Sequence, residues 1–344
     1  MQIDVFNGDA DGICALVQLR LANPAQTKLV TGVKRDIQLL KRVEVQYNDS
    51  VTVLDISLQK NRRDLDRILQ QGASVLYVDH HEAGEIPQHA RLNTLIDTAA
   101  NTCTSLLMDQ YLGGKFSTWA VIAAFGDNLI NSAERLASQL SITAQQLNQL
   151  RALGVCLNYN GCGNAVSDLH FPPDFLYKEL LAYMNPFDYM AANDSSYSLL
   201  VEMYAEDIAK AEAIKEEYCT STIAIYRLPD EAWARRISGV FSNVVANKMP
   251  IRAHAIISYN AIGGYQISVR APLVNKTGAD ELCSLFSTGG GRKGAAGINH
   301  LPYDKLPLFI TEFEKISLST LNLNHITYYD KQKYTFRLAL CERL

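Results

Sequence analysis

The sequence predicts an α/β protein, with an N-terminal domain built on a parallel sheet and a smaller α/β domain at the C-terminal end. Three observations predict it. Short apolar runs alternate with helical patterns from Met1 to about Tyr111. The 344 residues make about two domains at the usual ~150 residues each. Strand and helix patterns also resume after a polar stretch, near Ser221. Repeated strand–helix–strand units joined by right-handed crossovers give a mostly parallel sheet.

In chain order, Ile3-Asp4-Val5-Phe6 reads as the first strand and runs into Asn7-Gly8-Asp9-Ala10-Asp11-Gly12. Ile13 to Arg20 then has the apolar density of a helix packed on a sheet. Lys28 to Val33 reads as a strand, Ile37 to Val43 as a short helix, and Val51 to Leu54 as a third strand ending in Asp55. Lys60 to Gln71 carries Leu65, Ile68 and Leu69 on one face of an amphipathic helix that Gly72 stops. Ser74 to Val78 is a buried-strand run ending in Asp79-His80-His81, and Arg91 to Asp97 follows a loop with Gly84 and Pro87. From Asn101 to about Met190 the pattern is mainly helical. Asn101 to Leu107 reads as a helix start capped by short hydroxyls, whereas Trp119 to Phe125 reads as a strand-like run into Gly126-Asp127-Asn128. Ser195 to about Tyr218 reads as a connecting helix, and Ser221 to Tyr226 as the next strand. His254–Tyr259 and Tyr265–Arg270 form a hairpin through Gly263-Gly264. A helix from Ala279 to Phe286 leads into a glycine-rich stretch, and another covers Tyr303 to Lys315. The expected divisions are 1–190, a connecting segment 191–220, and 221–344.

A content of 48% hydrophobic and 20% charged residues is that of an ordinary soluble globular protein. No run approaches the roughly 18 apolar residues of a membrane span, and the first strand begins too early to leave room for a signal peptide. A net charge of −4 argues against broad electrostatic binding of long nucleic acid, while leaving room for a local basic pocket. The seven cysteines are scattered and none forms C-x-x-C. Cys156 and Cys162 lack a second pair, so they read as reduced thiols rather than a zinc site. The expectation is a cytoplasmic, thiol-reduced protein.

The chemistry gathers where strands end. In a parallel α/β sheet, sites form beyond the carboxyl ends of the strands, so Asp9, Asp11, Asp55, His80 and Asp127 are expected to converge. Any one of these acids alone is more simply a helix cap or a loop charge, but five residues at successive element ends are harder to dismiss. Carboxylates sharing a pocket raise one another's pKa, and divalent cations are the simplest remedy. Hard oxygen donors with one imidazole suit Mn²⁺ or Mg²⁺. In extended backbone Asp9 and Asp11 point to opposite sides and reach different ions. With Asp55 as a bridge, two ions about 3.5–4 Å apart are expected, the arrangement used for in-line phosphoryl displacement.

The glycine-rich stretch is Gly289-Gly290-Gly291-Arg292-Lys293-Gly294-Ala295-Ala296-Gly297. Although it contains G-x-G-x-x-G, a helix rather than a strand precedes it, against a dinucleotide fingerprint. It reads as a loop whose backbone N–H groups approach an anion, aided by Arg292 and Lys293, with Arg270 as a second clamp.

Taken together these motifs resemble the DHH phosphoesterase superfamily. The resemblance rests on D-A-D-G after the first strand, the Asp closing V-T-V-L-D, the V-D-H-H, the later G-D, and G-G-G-R-K-G-A-A-G, which is similar to the signature of the DHH-associated domain. The superfamily includes RecJ-type exonucleases, family II pyrophosphatases, nanoRNases and phosphodiesterases of short or cyclic nucleotides. The resemblance implies that Asp9 and Asp55 hold one Mn²⁺ and that Asp11, Asp55, His80 and Asp127 hold the other, with Mg²⁺ as the alternative. It implies that His81 contacts the scissile phosphate and helps protonate the leaving oxygen, while Asp79 orients an imidazole. Asp97 and Thr102 match a segment of structural role. The second domain is implied to bind the far end of the substrate through Arg270, Gly289, Gly290, Gly291, Arg292 and Lys293, across a cleft that measures substrate length. Two residues depart from the pattern: Val5 stands where many members have a His ligand, and Arg292 where the signature usually has His.

The activity implied is hydrolysis of short 5′-phosphorylated oligoribonucleotides to mononucleotides, especially diribonucleotides such as pGpG, the linear product of cyclic di-GMP breakdown. Alternatives are a phosphoadenosine phosphate phosphatase, an exopolyphosphatase or pyrophosphatase, a cyclic-dinucleotide phosphodiesterase, or, given Val5, a non-catalytic nucleotide-binding protein. The expected partner is a dinucleotide or short oligonucleotide, with no membrane and no long nucleic-acid track. Homodimerisation is left open.

Overall fold

The computed structural model of the chain describes residues 1–260 and 262–320, so Cys341 and the end of the expected 221–344 domain lie outside the described residues. In the first compact unit, Met1–Ala205, five strands pair. They are β1 (Gln2–Phe6), β2 (Lys28–Val30), β3 (Ser50–Leu54), β4 (Ser74–Asp79) and β5 (Leu92–Ile96). All are parallel, in the order β2-β1-β3-β4-β5. The order reverses between β1 and β3, and a doubly wound sheet offers a crevice at the carboxyl ends there. Asp9 follows β1 and Asp55 follows β3, so both stand at that crevice.

The alternation of strand side chains sorts two cores. Ile3, Val5, Val51, Val53, Val75 and Tyr77 pack with Leu58, Leu65 and Ile68 of α2 (Leu58–Gln70) on one face. Phe6, Leu54 and Val78 join the second core, which is built on α1 (Ala10–Ala22). The chain from Thr104 supplies the rest of this core as α3 (Thr104–Tyr111), α4 (Ser117–Gly126), α5 (Ile130–Ala137), α6 (Ala144–Gly161), α7 (Pro173–Leu181) and α8 (Pro186–Ala191), followed by α9 (Tyr197–Glu212).

Two readings of this stretch need correction. Trp119 to Phe125 is the interior of α4, not a strand. A short, wholly apolar run carries no period that separates a buried strand from a helix buried on all sides, and every residue from Trp119 to Phe125 is buried. α3 starts behind Cys103, which makes no side-chain capping bond, so the expected hydroxyl cap is absent. The cap comes from far away instead. The Asp11 carboxylate accepts the Thr104 N–H at 2.8 Å and the Ser105 N–H at 2.7 Å. That bond pair ties the start of α1 to the start of α3 and satisfies donors that a helix leaves open at its first turn.

α4 and α6 cross with almost no separation. A Cβ on Gly154 would lie 2.1 Å from the Ile122 carbonyl oxygen, and one on Gly126 would lie 2.5 Å from Cβ of Ala10 and 2.9 Å from the Gly154 oxygen. Glycine is the residue that permits this approach, and the approach carries the end of α4, with Asp127, to the start of α1.

The second compact unit begins at Glu206, inside α9. Its elements are β6 (Tyr218–Cys219), β7 (Ile223–Arg227), α10 (Ala232–Lys248), β8 (Ala253–Tyr259), β9 (Tyr265–Arg270), α11 (Ala279–Ser284), β10 (Gly289–Arg292), β11 (Ala295–Leu301) and α12 (Leu306–Thr320). They build a six-stranded sheet ordered β10-β11-β9-β8-β7-β6. β7 and β8 are parallel across α10, and β8 and β9 form the expected hairpin. Sequence reading assigned no element to α10, whose Gly239, serines and valines mute the helical pattern. The glycine-rich stretch is likewise not a loop. Gly289–Arg292 is the edge strand, paired antiparallel with Ala295–Ile298. Gly291, at φ 147°, would bring a Cβ to 2.4 Å from the Ala296 Cα, so close strand approach accounts for that glycine.

No described helix is long and apolar enough to cross a membrane. The described cysteines are free thiols, and neither Cys156 nor Cys162 joins a metal-type cluster among the described residues.

The helix crossing makes a stability prediction. Gly154→Ala should cost about 1–3 kcal/mol through overpacking against backbone. Gly239→Ala, whose Cβ would meet nothing within 4 Å, should be neutral or gain about 0.5–1 kcal/mol. Urea unfolding of both variants checks this, and equal effects would contradict the packing argument.

Candidate metal centre

Asp9 is the N-cap of α1, and its Oδ1 accepts the N–H groups of Asp11 (3.0 Å) and Gly12 (3.2 Å). Asp11 lies in the first helical turn. The helix start, rather than the alternation of an extended chain, therefore sets where each carboxylate goes. Asp55 leaves β3 at φ 60°, in the left-handed region that Asp tolerates better than most residues. Strained backbone of this kind concentrates at working sites.

His80 follows β4 and is 5% exposed. Its Nδ1 lies 3.2 Å from the Thr102 carbonyl oxygen. A carbonyl can only accept, so Nδ1 carries the proton and Nε2 presents its lone pair to the cluster. Nε2 lies 3.4 Å from Asp55 Oδ1, 3.6 Å from Asp127 Oδ2 and 3.9 Å from Asp11 Oδ2. Donors about 2.1 Å from one ion at right angles stand about 3 Å apart, so this spacing needs only a small contraction to enclose an ion. Two overlapping groups have ligand-type atoms mutually within 4.8 Å: Asp11, His80 and Asp127, and Asp55, His80 and His81.

The charges show why such a site needs a cation. Burial, then repulsion by Asp127, pushes Asp11 up to about 6 despite the help of His80. Burial, Asp11 and Asp9 push Asp55 well above the usual carboxylate range. Both are stabilised in the protonated form until an external positive charge replaces the protons. Asp9 behaves oppositely. Burial would raise it, but the Lys34 ammonium and hydrogen bonds from Lys34 and Gly12 outweigh that and hold it at about 2.

Beside this cluster, His81 is 41% exposed in its side chain, which makes it reachable, and its Nδ1 lies 2.7 Å from the buried Asp79 Oδ1. Burial opposes the His81 imidazolium, but the Asp79 hydrogen bond and the charges of Asp55 and Asp79 win, raising its pKa above the ordinary value. Asp79 thus orients His81, whereas Thr102, through its backbone, orients His80. Asp97 accepts the Ala99 N–H in a turn after β5.

Sequence reasoning missed Lys34, whose Nζ lies 2.6 Å from Asp9 Oδ2, 3.4 Å from Asp127 Oδ1 and 2.7 Å from Asn158 Oδ1. The signal was available, because Lys34 sits just past the second strand, next to β1 in the sheet. Thr104 was missed too, and its hydroxyl donates to Asp55 Oδ1 at 3.3 Å. The remaining candidates belong to the second unit. The Arg270 guanidinium is half-buried on neutral acceptors, namely Asn243 Oδ1 at 2.7 Å, Ser268 Oγ at 3.0 Å and the carbonyls of Val269 and Gly239. Burial lowers its pKa to about 10. Gly289, Gly290 and Gly291 lie in β10, and Arg292 and Lys293 are exposed at its end.

Two outcomes follow. A divalent ion must displace protons from Asp11 and Asp55, so Mn²⁺ affinity should fall as pH drops, for Asp11 through about 6, by about tenfold per unit for each proton displaced. Calorimetry at pH 5.5, 6.5 and 7.5 measures it, and a pH-independent affinity would contradict the cluster. Asp79→Asn removes a feature that raises the His81 pKa, so the imidazolium population at pH 7 should fall. An NMR titration that left the His81 pKa unchanged would remove Asp79 from that role.

No protein-family model matches the chain, and no curated protein matches it by sequence. Solved structures do match it in shape. It is similar to the DHH domain of a member of the s1p family of ribosomal proteins, with 12% identity, 93% of this chain and 87% of that one covered, and a TM-score of 0.60. It is similar to the exonuclease RecJ bound to manganese, with 15% identity, 92% and 90% covered, and a TM-score of 0.56. A third neighbour is a pGpG-specific phosphodiesterase, PggH, from Vibrio cholerae, with 14% identity, 92% and 99% covered, and a TM-score of 0.54. The five-stranded parallel sheet, its helical layer and the second sheet are therefore the fold of the DHH-domain proteins.

Proposed function

We propose that the chain is a metal-dependent phosphodiesterase that hydrolyses short 5′-phosphorylated oligoribonucleotides, diribonucleotides such as pGpG above all, to mononucleotides. The observation that carries this reading is the His80 imidazole with three carboxylate oxygens within 3.9 Å of Nε2, at the switch point of a parallel sheet. The donor set is hard oxygen plus one nitrogen, which suits Mn²⁺ or Mg²⁺, and RecJ of like fold carries manganese. A divalent ion held there would supply charge against the phosphoryl oxygens and acidify a water.

The chain's own residues would do the rest. His81, whose pKa the Asp79 hydrogen bond raises, stands exposed beside the cluster and in its imidazolium form can give a proton to the leaving 3′ oxygen. Thr102 keeps the His80 lone pair turned inward. Arg270, a half-buried cation on neutral acceptors, is our candidate in the second unit for holding a phosphate.

Three points favour a short substrate. PggH is covered along 99% of its length, the net charge is −4, and the sequence has no long basic track. Val5, which offers no donor, and the Lys34–Asp9 ion pair favour a second reading, a nucleotide-binding protein that does not turn over.

A turnover screen with Mn²⁺ over pGpG, pApA, longer RNA, cyclic dinucleotides, phosphoadenosine phosphate and polyphosphate tests both readings. Mononucleotides should appear fastest from the dinucleotides. Asp11→Ala and His80→Ala should lower the rate by more than about a hundredfold, while Arg270→Ala should mainly raise KM. Dinucleotide binding without cleavage would select the second reading, and polyphosphate as the preferred substrate would sink both.

A further inference from the structure

Both oxygens of the Asp9 carboxylate have partners within the protein. Its Oδ1 accepts two backbone N–H groups at the start of α1, and its Oδ2 pairs with the Lys34 ammonium at 2.6 Å. Lys34 is half-buried and has anchors besides the acid. Its N–H donates to the Gly161 carbonyl at 2.8 Å, its carbonyl accepts Asn7 Nδ2 at 3.1 Å, and its ammonium donates to Asn158 Oδ1 at 2.7 Å. None of these three partners belongs to the carboxylate cluster: the first two fix the lysine's main chain, and Asn158 holds its ammonium together with Asp9 and Asp127. On the other side, Val5 packs in an apolar core with Val30, Val51 and Val53 and has no donor to offer.

An ammonium and a dication on the same carboxylate repel each other, which weakens binding of a dication at Asp9. Of the remaining donors, Asp11, Asp55 and Asp127 each bring an oxygen within 3.9 Å of His80 Nε2. We propose that the centre holds one divalent ion among these four residues, and that the Lys34 ammonium stands as a built-in cation in place of the second ion of a pair. Lys34 thereby keeps Asp9 charged and contributes positive charge beside Asp127 without a metal to lose.

The inference rests on the metal-dependent reading only in requiring that one ion binds. Its test therefore uses metal stoichiometry, not activity. Metal-stripped protein is titrated with Mn²⁺ by calorimetry and followed by electron paramagnetic resonance. One equivalent with the six-line signal of an isolated ion is expected. Two equivalents with a spin-coupled signal would overturn the proposal and leave the phosphoesterase reading standing, whereas no Mn²⁺ binding at millimolar concentration would overturn that reading as well.

Lys34→Ala should admit a second equivalent and a coupled signal, and Lys34→Arg should keep one. A folded Lys34→Ala protein that still binds one ion would remove the lysine from the role. Should that variant fail to fold by circular dichroism, the wild-type stoichiometry decides alone. Asn7 Oδ1 is buried without a hydrogen-bond partner and is the rival donor for a second ion. A wild-type second equivalent that Asn7→Ala abolishes would identify it and overturn the proposal.

Discussion

Mutual repulsion among buried carboxylates is the constraint on which the first unit depends. Asp9, Asp11 and Asp55 are each no more than 2% exposed, and Asp127 completes the group around His80. Left alone, such a group takes up protons or comes apart, because like charges a few ångströms apart in a poorly solvated pocket cannot all stay ionised. The protein answers in three ways. A fixed ammonium neutralises Asp9, the open N-terminus of α3 holds Asp11, and the Thr104 hydroxyl reaches Asp55. What these do not neutralise is the charge left for an external cation.

The same constraint explains why so much of the fold is spent bringing helix ends together. The start of α1 meets the start of α3 and the end of α4, which follow it by about a hundred residues in the chain, and the Gly126–Gly154 crossing lets the end of α4 approach Ala10. Helix termini are useful there because they carry unpaired N–H and C=O groups and partial charge. Asp11 serves a structural bond and the charged cluster at once, which couples integrity of the helical layer to the state of the site.

In the second unit the glycine-rich stretch shows how a correct motif can carry a wrong local structure. Its glycines suggested a loop wrapped around an anion, yet Gly291 is needed because the paired strand leaves no space for a side chain. Arg270 is different. Its burial among neutral acceptors was partly legible, since it closes an apolar strand, but the partners Asn243 and Gly239 come from α10, whose pattern was too weak to read.

By itself the sequence determined the alternation of strands and helices in the first unit, the β8–β9 hairpin, and which acids and imidazoles close which elements. Those features are written in local periodicity and turn residues, which act over a few neighbours. Only the tertiary structure decided that Trp119–Phe125 is helical, that Asp11 rather than a local hydroxyl caps α3, and that Thr102 aims His80. It also decided that Lys34 claims Asp9. Each of these depends on packing or on electrostatics between residues distant in the chain, and such energies leave no mark on the order of neighbouring residues.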